Sequence, residues 1–215
     1  MTTPNADITA TSPATGAGAA DNPATPQPPT LLFVIGPAAV GKMTVGTAIA
    51  EATGFKLFHN HMTIEPLVRL FPYESPQFQR LNHDFREQIC REAAGSDLPG
   101  LVFTLVWDFD DPADTALVDR YAKPFRDRGS RILFLELSAD QAVRLTRNSG
   151  ATRLAEKASK RDLAWSDENL RSMDARFRLN SVDDFAHIPA SHLRVDYTHL
   201  EPDEVAARAI AYFGL

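Results

Sequence analysis

The chain has 215 residues, and its 22 lysine and arginine residues against 28 aspartate and glutamate residues give a formal net charge of −6. A nucleic-acid-binding surface usually carries excess positive charge, because released counterions supply much of its affinity, so this balance argues against a nucleic-acid partner. Hydrophobic residues make up 44% and charged residues 23%, which is typical of an ordinary folded protein and excludes disorder throughout the chain.

Two further features of the composition bear on location. No apolar run approaches the roughly 20 residues needed to span a bilayer, so we expect no membrane association. The single cysteine, Cys90, cannot form a disulfide within the chain and is expected to be a small core residue. A cytoplasmic protein in a reducing compartment is therefore expected.

Residues 1–29 differ in composition from the rest of the chain. They hold six of the 15 prolines and otherwise mostly alanine, threonine, glycine and asparagine. Such a segment has too little apolar bulk to offset the entropy lost on folding. We predict a disordered tail over residues 1–29 and one folded domain over residues 30–215.

From residue 31 onward, apolar runs alternate with helical patterns, as expected for a parallel sheet built from βαβ units. Several runs are apolar at consecutive positions, which is typical of strands covered by helices on both faces. The fold class is therefore predicted as α/β. The five predicted strands are residues 31–35, 55–59, 101–107, 131–137 and 192–196.

Helix start signals lie between these strands. The signals are Ser75 with Pro76, Asp111 with Pro112, Ser138 with Gln141 as a capping box, and Pro202. Helical spacing of apolar residues predicts which side chains face inward. These are Phe78, Leu81, Phe85 and Ile89 in the helix after Ser75, and Val205, Ala209 and Tyr212 in the last helix.

The most informative segment, GPAAVGKMT, directly follows the first strand and opens a helix. It has the spacing of a phosphate-binding P-loop, in which glycines let backbone N–H groups turn toward a phosphate and a lysine reaches the terminal phosphates. A turn of this kind could bind nothing, but the lysine in this place makes nucleotide binding the prediction. The predicted nucleotide contacts are Gly36, Ala38, Ala39, Val40, Gly41, Lys42, Met43 and Thr44, and Lys42 is also predicted to be catalytic.

One position departs from the usual P-loop. A serine or threonine normally follows the lysine and binds Mg²⁺, whereas here Met43 follows it and Thr44 comes one place later. Because successive helical residues point about 100° apart, Thr44 is better placed to donate to an earlier phosphate than to bind the metal. Mg²⁺ is therefore expected to be held by nucleotide oxygens, water and other side chains.

The segment GPAAVGKMT, together with the order of the predicted strands and helices, resembles the nucleoside-monophosphate-kinase group of proteins. This group includes shikimate kinase, gluconate kinase and small antibiotic phosphotransferases. The segments HNHMTIEP and RLAEKASKRD are also similar to bacterial AAA-type ATP-binding proteins of the shikimate-kinase-like kind. The resemblance covers residues 31–215 and implies a three-layer sandwich with strand order 2-3-1-4-5. It also implies ATP and Mg²⁺ as cofactors, an acceptor pocket within residues 62–100, and a lid over the phosphates.

A second candidate segment, Phe58-His59-Asn60-His61, follows the second strand. Shikimate-kinase-like proteins carry Asp-x-Asp there, and this chain lacks both carboxylates. The period of two in a strand would put His59 and His61 on one face at its carboxyl end, where either could bind substrate or take a proton from a hydroxyl. A structural role and zinc binding through H-x-H are the alternatives. Glu65 is expected to begin a helix and either to contact substrate or to favour the helix N-terminus.

The third strand is followed by the acidic segment 108–111. Asp108 comes directly after the apolar run, so it is the candidate for organising Mg²⁺ or for accepting the proton of the acceptor hydroxyl. Asp111 is expected to cap the helix that follows, and Asp110 to face solvent. Trp107 is expected to belong to the core.

Positive charge is concentrated between residues 144 and 178. Residues 148–160 contain few large apolar side chains, which predicts a mobile loop between two helices, and the resemblance identifies a basic lid around residues 148–165. Lid arginines would neutralise the phosphoryl group in transfer and exclude water. Arg147, Arg153 and Arg161 are the predicted phosphate contacts, and Arg144 lies one turn before Arg147.

The sequence thus predicts a kinase that transfers the γ-phosphate of ATP to a hydroxyl of a small molecule such as a metabolite or antibiotic. A nucleotide-binding ATPase or regulatory module that transfers no phosphate to a small molecule is the alternative. A monomer or homodimer is expected. Four side chains of the acceptor segment hint at an anionic or polyhydroxylated acceptor: Arg69, Tyr73, Arg80 and Arg86.

Overall fold

The computed structural model describes residues 27–150, 162–185 and 191–215. Its strands are β1 (Thr30–Ile35), β2 (Lys56–His59), β3 (Gly100–Thr104), β4 (Ile132–Ser138) and β5 (His192–Asp196). Its helices are α1 (Lys42–Thr53), α2 (His61–Leu67), α3 (Pro76–Ala94), α4 (Pro112–Arg126), α5 (Gln141–Asn148), α6 (Leu163–Arg176) and α7 (Pro202–Phe213). Residues 1–26 of the predicted tail lie outside the described residues, so the tail stays a prediction.

The five strands form one parallel sheet in the order β2-β3-β1-β4-β5, which confirms the expected order. Every residue of β1 is buried, as the apolar run predicted. Phe33 packs with the side chains of α3 and α4 on one face, whereas Leu32 and Val34 pack with those of α1 and α7 on the other. The protein is therefore a three-layer α/β sandwich.

The third strand is shorter than predicted, since β3 ends at Thr104 and not at Trp107. The reason lies in β2, which ends at His59 opposite Thr104, so that β3 loses its partner on that side. The next residue, Leu105, still donates its N–H to the carbonyl oxygen of Val34 at 3.1 Å. Trp107 is buried in the core, as expected.

Three of the four predicted helix starts are confirmed and one is wrong, and one of the three is Pro202, the first residue of α7. The side chains of Ser75 and Asp111 accept bonds from backbone N–H groups of α3 and α4. Ser138 caps nothing, because it is still part of β4. The capping box of this structure lies instead at the start of α7, where Glu201 and Glu204 bond reciprocally.

Two predicted inward faces need correction. In α3, Leu81 and Phe85 are 37% and 61% exposed, while Asn82, Arg86 and Cys90 are buried. Polar partners in α2 and in the residue just before it explain this choice of face. In α7, Tyr212 is exposed, and the next residue along the chain is buried in its place. Within the part of the chain that the structure describes, no helix is both long and apolar enough to cross a membrane.

Candidate active site

The P-loop follows β1, the central strand, and turns through three residues with positive φ. Gly36, Ala39 and Gly41 have φ values of 134°, 59° and 107°. A Cβ atom on Gly36 would lie 2.2 Å from the carbonyl oxygen of Leu137, and one on Gly41 would lie 2.4 Å from a ring carbon of Tyr197, so both positions require glycine. Because α1 begins directly after this turn, its unbonded N–H groups lie beside the loop. Such an arrangement can hold an anion.

Lys42 is the first residue of α1, and its side chain is buried. Its ammonium donates to the carbonyl oxygens of Gly36 and Pro37 at 2.6 and 2.7 Å. These bonds hold a positive charge against the backbone of the P-loop.

Two arginines of α5 also contact the P-loop. Arg147 donates to the carbonyl oxygen of Val40 at 3.2 Å and to that of Tyr197 at 2.9 Å. Its guanidinium lies 4.2 Å from the centre of the Tyr197 ring, which is a cation–π distance. Burial raises the pKa of the Tyr197 hydroxyl. The sequence singled out Arg147 but not Tyr197, because the residue after β5 reaches Gly41 only in the folded chain.

The second of these arginines, Arg144, is buried and forms a two-pronged ion pair with Asp174 of α6, at 3.0 and 2.5 Å. It also donates to the carbonyl oxygen of Ala38 at 3.3 Å. Bidentate pairs of this kind fix geometry as well as charge. Arg144 therefore connects the P-loop to α6, and Asp174 was not predicted because nothing in the sequence marks it as a partner.

The departure in the P-loop motif has a structural counterpart. Met43 is half-buried and Thr44 is exposed on α1. Neither residue places an oxygen directly after Lys42, where the usual motif has a metal ligand.

The histidine segment does not form one strand face. His59 ends β2 and His61 begins α2, so the expected shared face is wrong, because the period of two ends with the strand. Glu65 lies inside α2, not at its start as expected, since the helix begins directly after β2. His61 is buried, and its Nδ1 lies 2.8 Å from Oε1 of Glu65. A carboxylate accepts in this bond, so it places a proton on Nδ1.

A buried polar cluster joins β2, α2 and α3 behind these histidines. Arg86 donates from Nε to Oγ1 of Thr63 at 3.1 Å and from Nη2 to the carbonyl oxygen of Asn60 at 3.2 Å. Oγ1 of Thr63 also lies 2.6 Å from Oδ1 of Asn82. Polar groups can be buried when they are bonded in this way, and this is why α3 turns Asn82 and Arg86 inward.

This cluster changes the expectation for the acceptor segment. The guanidinium of Arg86 already donates hydrogen bonds to Thr63 and Asn60, so its position is explained without contact to an anionic acceptor. The other three candidates remain exposed: Arg69, Tyr73 and Arg80. In the described residues, no group of three or more His, Cys, Asp or Glu side chains could hold a metal.

Asp108 lies half-buried in the loop between β3 and α4. Its Oδ1 accepts from the backbone N–H groups of Asp110 and Arg178, at 3.1 and 3.2 Å. Its own N–H donates to the carboxylate of Asp114, whose pKa is raised by burial. Asp110 is exposed, as expected, and pairs with the guanidinium of Arg178 at 2.8 Å. Oδ1 of Asp108 thus shapes this loop, and among the described residues none donates a hydrogen bond to Oδ2.

The segment that follows α6 is held by a carboxylate that the sequence did not single out. Glu136 is fully buried on β4. Its oxygens accept from Asn180 and from the backbone and hydroxyl of Ser181, at 2.8, 2.8 and 2.5 Å, and lie 2.9 Å from the His192 ring. Burial by itself would raise the pKa of Glu136, but bonds from His192, Ser181 and Asn180 outweigh burial and lower it to about 2. The only sequence signal was a single glutamate within an apolar strand.

Two of the predicted lid arginines, Arg153 and Arg161, lie outside the described residues, so their contacts stay predictions. The described residues on either side of residues 151–161 are bonded to each other. Asn148, at the end of α5, donates to the side chains of Ser166 and Asp167 in α6, at 2.9 and 2.6 Å. The two helices that flank the predicted lid segment, α5 and α6, are therefore joined to each other by these bonds.

Comparison with known proteins gives matches among solved structures alone, since no family model and no curated protein matches the chain. The chain is similar to a gluconokinase from Sinorhizobium meliloti 1021, at 15% identity and a TM-score of 0.54, covering 87% of this chain and 93% of that one. It is similar to a shikimate kinase from Bacteroides thetaiotaomicron, at 14% identity and a TM-score of 0.56, covering 86% and 99%. It is also similar to a sugar kinase from Janibacter sp. HTCC2649, at 14% identity and a TM-score of 0.53, covering 87% and 95%.

At these identities the likeness shows the fold. The order of the sheet, the layers on both of its faces and the P-loop after the central strand agree with the resemblance found in the sequence. The chain therefore has the fold of P-loop small-molecule kinases of the shikimate kinase and gluconokinase kind.

Proposed function

We propose that the protein is an ATP-dependent phosphotransferase that moves the γ-phosphate of ATP to a hydroxyl of a small molecule, such as a metabolite or an antibiotic. The observation that carries this proposal is the P-loop itself. Its positive φ values at Gly36, Ala39 and Gly41 and the position of Lys42 at the first turn of α1 are what phosphate binding requires. The kinases among the similar solved structures support the same activity.

In this proposal, the residues of the P-loop bind the β- and γ-phosphates. Lys42 exchanges the carbonyl oxygens of Gly36 and Pro37 for phosphate oxygens, which are stronger acceptors because they are charged. Arg147 holds the carbonyl group of Val40 and adds positive charge beside the loop. Arg153 and Arg161 complete the lid by contacting the phosphates. Positioning and charge neutralisation of this kind supply most of the catalysis in phosphoryl transfer.

Magnesium, when bound with ATP, would neutralise charge on the transferred phosphoryl group. Met43 offers it no oxygen, so the protein ligand must come from another element. Asp108 fits that role in part, because its Oδ1 accepts from two backbone N–H groups while no described residue donates a hydrogen bond to its Oδ2. We therefore assign Oδ2 of Asp108 to the metal and its water shell, or to the proton of the acceptor hydroxyl.

His61 is the alternative base. Its bond to Glu65 places a proton on Nδ1, which makes Nε2 the nitrogen that would accept a proton. A base oriented by a carboxylate is a common catalytic arrangement. His59, His61 and Glu65 together form the proposed acceptor-binding segment, since β2 and α2 meet at the carboxyl end of the sheet, where α/β proteins bind ligands.

The first experiment tests nucleotide binding by calorimetry with ATP. Lys42→Met removes the ammonium and keeps most of the side-chain length, and Lys56→Met, at an exposed lysine, is the matched control. We expect Lys42→Met to lose ATP binding and the control to keep it. An ATP affinity that is unchanged in a folded Lys42→Met protein would contradict the P-loop assignment.

The second experiment tests phosphoryl transfer. Purified protein with Mg-ATP is screened for ADP release against hydroxylated metabolites and antibiotics. We expect at least one acceptor to raise ADP release about tenfold or more above the rate without acceptor. Hydrolysis at one constant rate across the panel would favour the ATPase alternative.

The third experiment separates the two candidate bases once an acceptor is known. If Asp108 acts, Asp108→Asn should lower turnover about 100-fold or more with nearly unchanged ATP affinity. If His61 is the base, His61→Asn should lower turnover most, and the wild-type rate should fall below about pH 6.5, where an ordinary imidazole takes up a proton. If Asp108→Asn turns over as fast as the wild type at saturating ATP, the assignment of the base to Asp108 is wrong and His61 becomes the candidate.

A further inference from the structure

The outer edge of β5 carries backbone groups that point away from the sheet. β5 is the last strand in the sheet order, with β4 as its neighbour. Asp196 lies opposite Ser138 of β4, and the next residue, Tyr197, donates its N–H to the carbonyl oxygen of Ser138 at 2.7 Å. In a parallel ladder this pattern turns the backbone of residues 195 and 197 toward β4. The N–H and C=O groups of Arg194 and Asp196 therefore face outward.

The side chains at these two outward positions have opposite charges. Arg194 and Asp196 are both exposed, and residues two apart in a strand share one face. Arg194 donates from Nη1 to the carbonyl oxygen of Ser181 at 2.7 Å, and its Nε lies 3.6 Å from Oε1 of the buried Glu136. These contacts hold its stem along the edge, and its side chain remains 46% exposed. Since a guanidinium has five N–H donors, Arg194 can accept a further carboxylate partner.

This pair of charges is complementary to a second copy of itself. In an antiparallel pair of β5 strands centred on Val195, Arg194 lies opposite Asp196 of the partner subunit, and the two-fold axis repeats the pair. The neighbouring register, centred on Arg194, would put two arginines directly opposite each other. Opposite charges across a strand pair stabilise it, and like charges destabilise it. Charge therefore selects the register centred on Val195.

A groove of about 530 Å³ runs along the same edge, between β5 and α7. It is lined by residues 193–196 of the strand and by Arg208, Ala211 and Tyr212 of the helix. Tyr212 is 52% exposed and presents its ring to this groove. A strand added to β5 would cover this groove together with the outward backbone groups.

We propose that a second copy of this chain pairs with β5 in antiparallel fashion, centred on Val195, so that the two sheets form one continuous sheet across a two-fold axis. An edge strand whose backbone groups point away from its own sheet is a template for such pairing. Isologous two-fold contacts are the commonest form of homo-oligomer. The proposal is independent of the proposed catalytic function.

Cross-linking tests the register directly. In the proposed pair, the two Val195 Cα atoms are about 4.5 Å apart, as in other antiparallel pairs without hydrogen bonds. Disulfides form when Cα atoms lie within about 4.4 to 6.8 Å. We therefore expect Val195→Cys to form a disulfide-linked dimer under mild oxidation. Two copies of Leu193 would lie more than about 13 Å apart, so Leu193→Cys should stay monomeric on a non-reducing gel.

The wild-type protein, whose buried Cys90 is its only cysteine, is the background control for cross-linking. No disulfide-linked dimer from Val195→Cys, or an equally efficient one from Leu193→Cys, would overturn the proposal.

Sedimentation velocity tests the same contact without cross-linking. The overlap is short, so we expect a weak dimer whose population grows over a roughly hundredfold range of protein concentration. Asp196→Arg should raise the dissociation constant about tenfold, because it replaces two attractive pairs by two repulsive ones. Asp196→Asn can still accept the bond that Asp196 receives from the N–H of Thr198, and should have a smaller effect in the same direction.

The control for the change in net charge is Glu51→Arg, at an exposed position of α1, which should leave the dissociation constant unchanged. A wild-type protein that stays monomeric at all concentrations would overturn the proposal. A dimer that is as strong in both Asp196 variants as in the wild type would also overturn it.

Discussion

Glu136→Gln gives a test of the buried carboxylate network that needs no substrate. The pKa of Glu136 is lowered from 4.5 to about 2, so the ionised form of this side chain is more stable, relative to its protonated form, in the folded protein than in the unfolded chain. Its ionisation therefore stabilises the fold fully above about pH 4.5, and this stability is lost as the pH falls toward 2. A difference of about 2.5 pKa units corresponds to about 3 kcal/mol, of which about 2 kcal/mol is lost by about pH 3.

Glutamine keeps the shape of the side chain and one acceptor oxygen for Asn180 and Ser181, but it cannot be titrated. We expect Glu136→Gln to lower the free energy of unfolding by about 2 to 3 kcal/mol at pH 7, since one oxygen loses its charge-assisted bonds. The gap between wild type and variant should then shrink by about 2 kcal/mol at about pH 3. Urea unfolding followed by tryptophan fluorescence measures both values, because Trp107 is buried in the core.

Asp119→Asn is the matched control, because Asp119 is exposed and pairs with an exposed arginine. We expect it to change the free energy of unfolding by less than about 1 kcal/mol at either pH. A gap between wild type and Glu136→Gln that stays constant from pH 7 to about pH 3 would refute the lowered pKa of Glu136 and the network that explains it.

Three further predictions concern other residues. Gly36→Ala should lower the melting temperature by about 5 °C or more, because its Cβ would lie 2.2 Å from the carbonyl oxygen of Leu137; Gly129→Ala, where φ is also positive but nothing lies within 4 Å, should lower it less. Burial raises the pKa of Cys90 to about 12, so a disulfide thiol reagent should leave the native protein unlabelled and label one thiol per chain in urea. Arg147→Lys should weaken ATP binding about tenfold in calorimetry, since lysine cannot stack on the tyrosine ring and bond two carbonyl groups at once; an unchanged affinity would contradict the role assigned to Arg147.

The sequence by itself determined the features that depend on neighbouring residues. A strand buried on both faces must be apolar at successive positions, and this made the five strands visible, with β3 three residues too long. The P-loop was visible for a similar reason, because glycines at the close approaches and a lysine at the helix start are local requirements. The helix caps at Ser75 and Asp111 are also local and were predicted correctly.

The tertiary structure alone decided which polar groups became buried. Asn82 and Arg86 face inward because Thr63 and Asn60, about 20 residues earlier in the chain, supply their partners. The face of α3 was therefore misjudged from apolar spacing.

Glu136 and Asp174 show the same effect over longer separations. Glu136 is bonded to Ser181, 45 residues later, and Asp174 to Arg144, 30 residues earlier. A buried charge is tolerated only where its partners converge, and that convergence depends on how the whole chain packs. Local spacing shows where a backbone must bend or be covered, but it does not show which distant side chain will compensate a buried polar group.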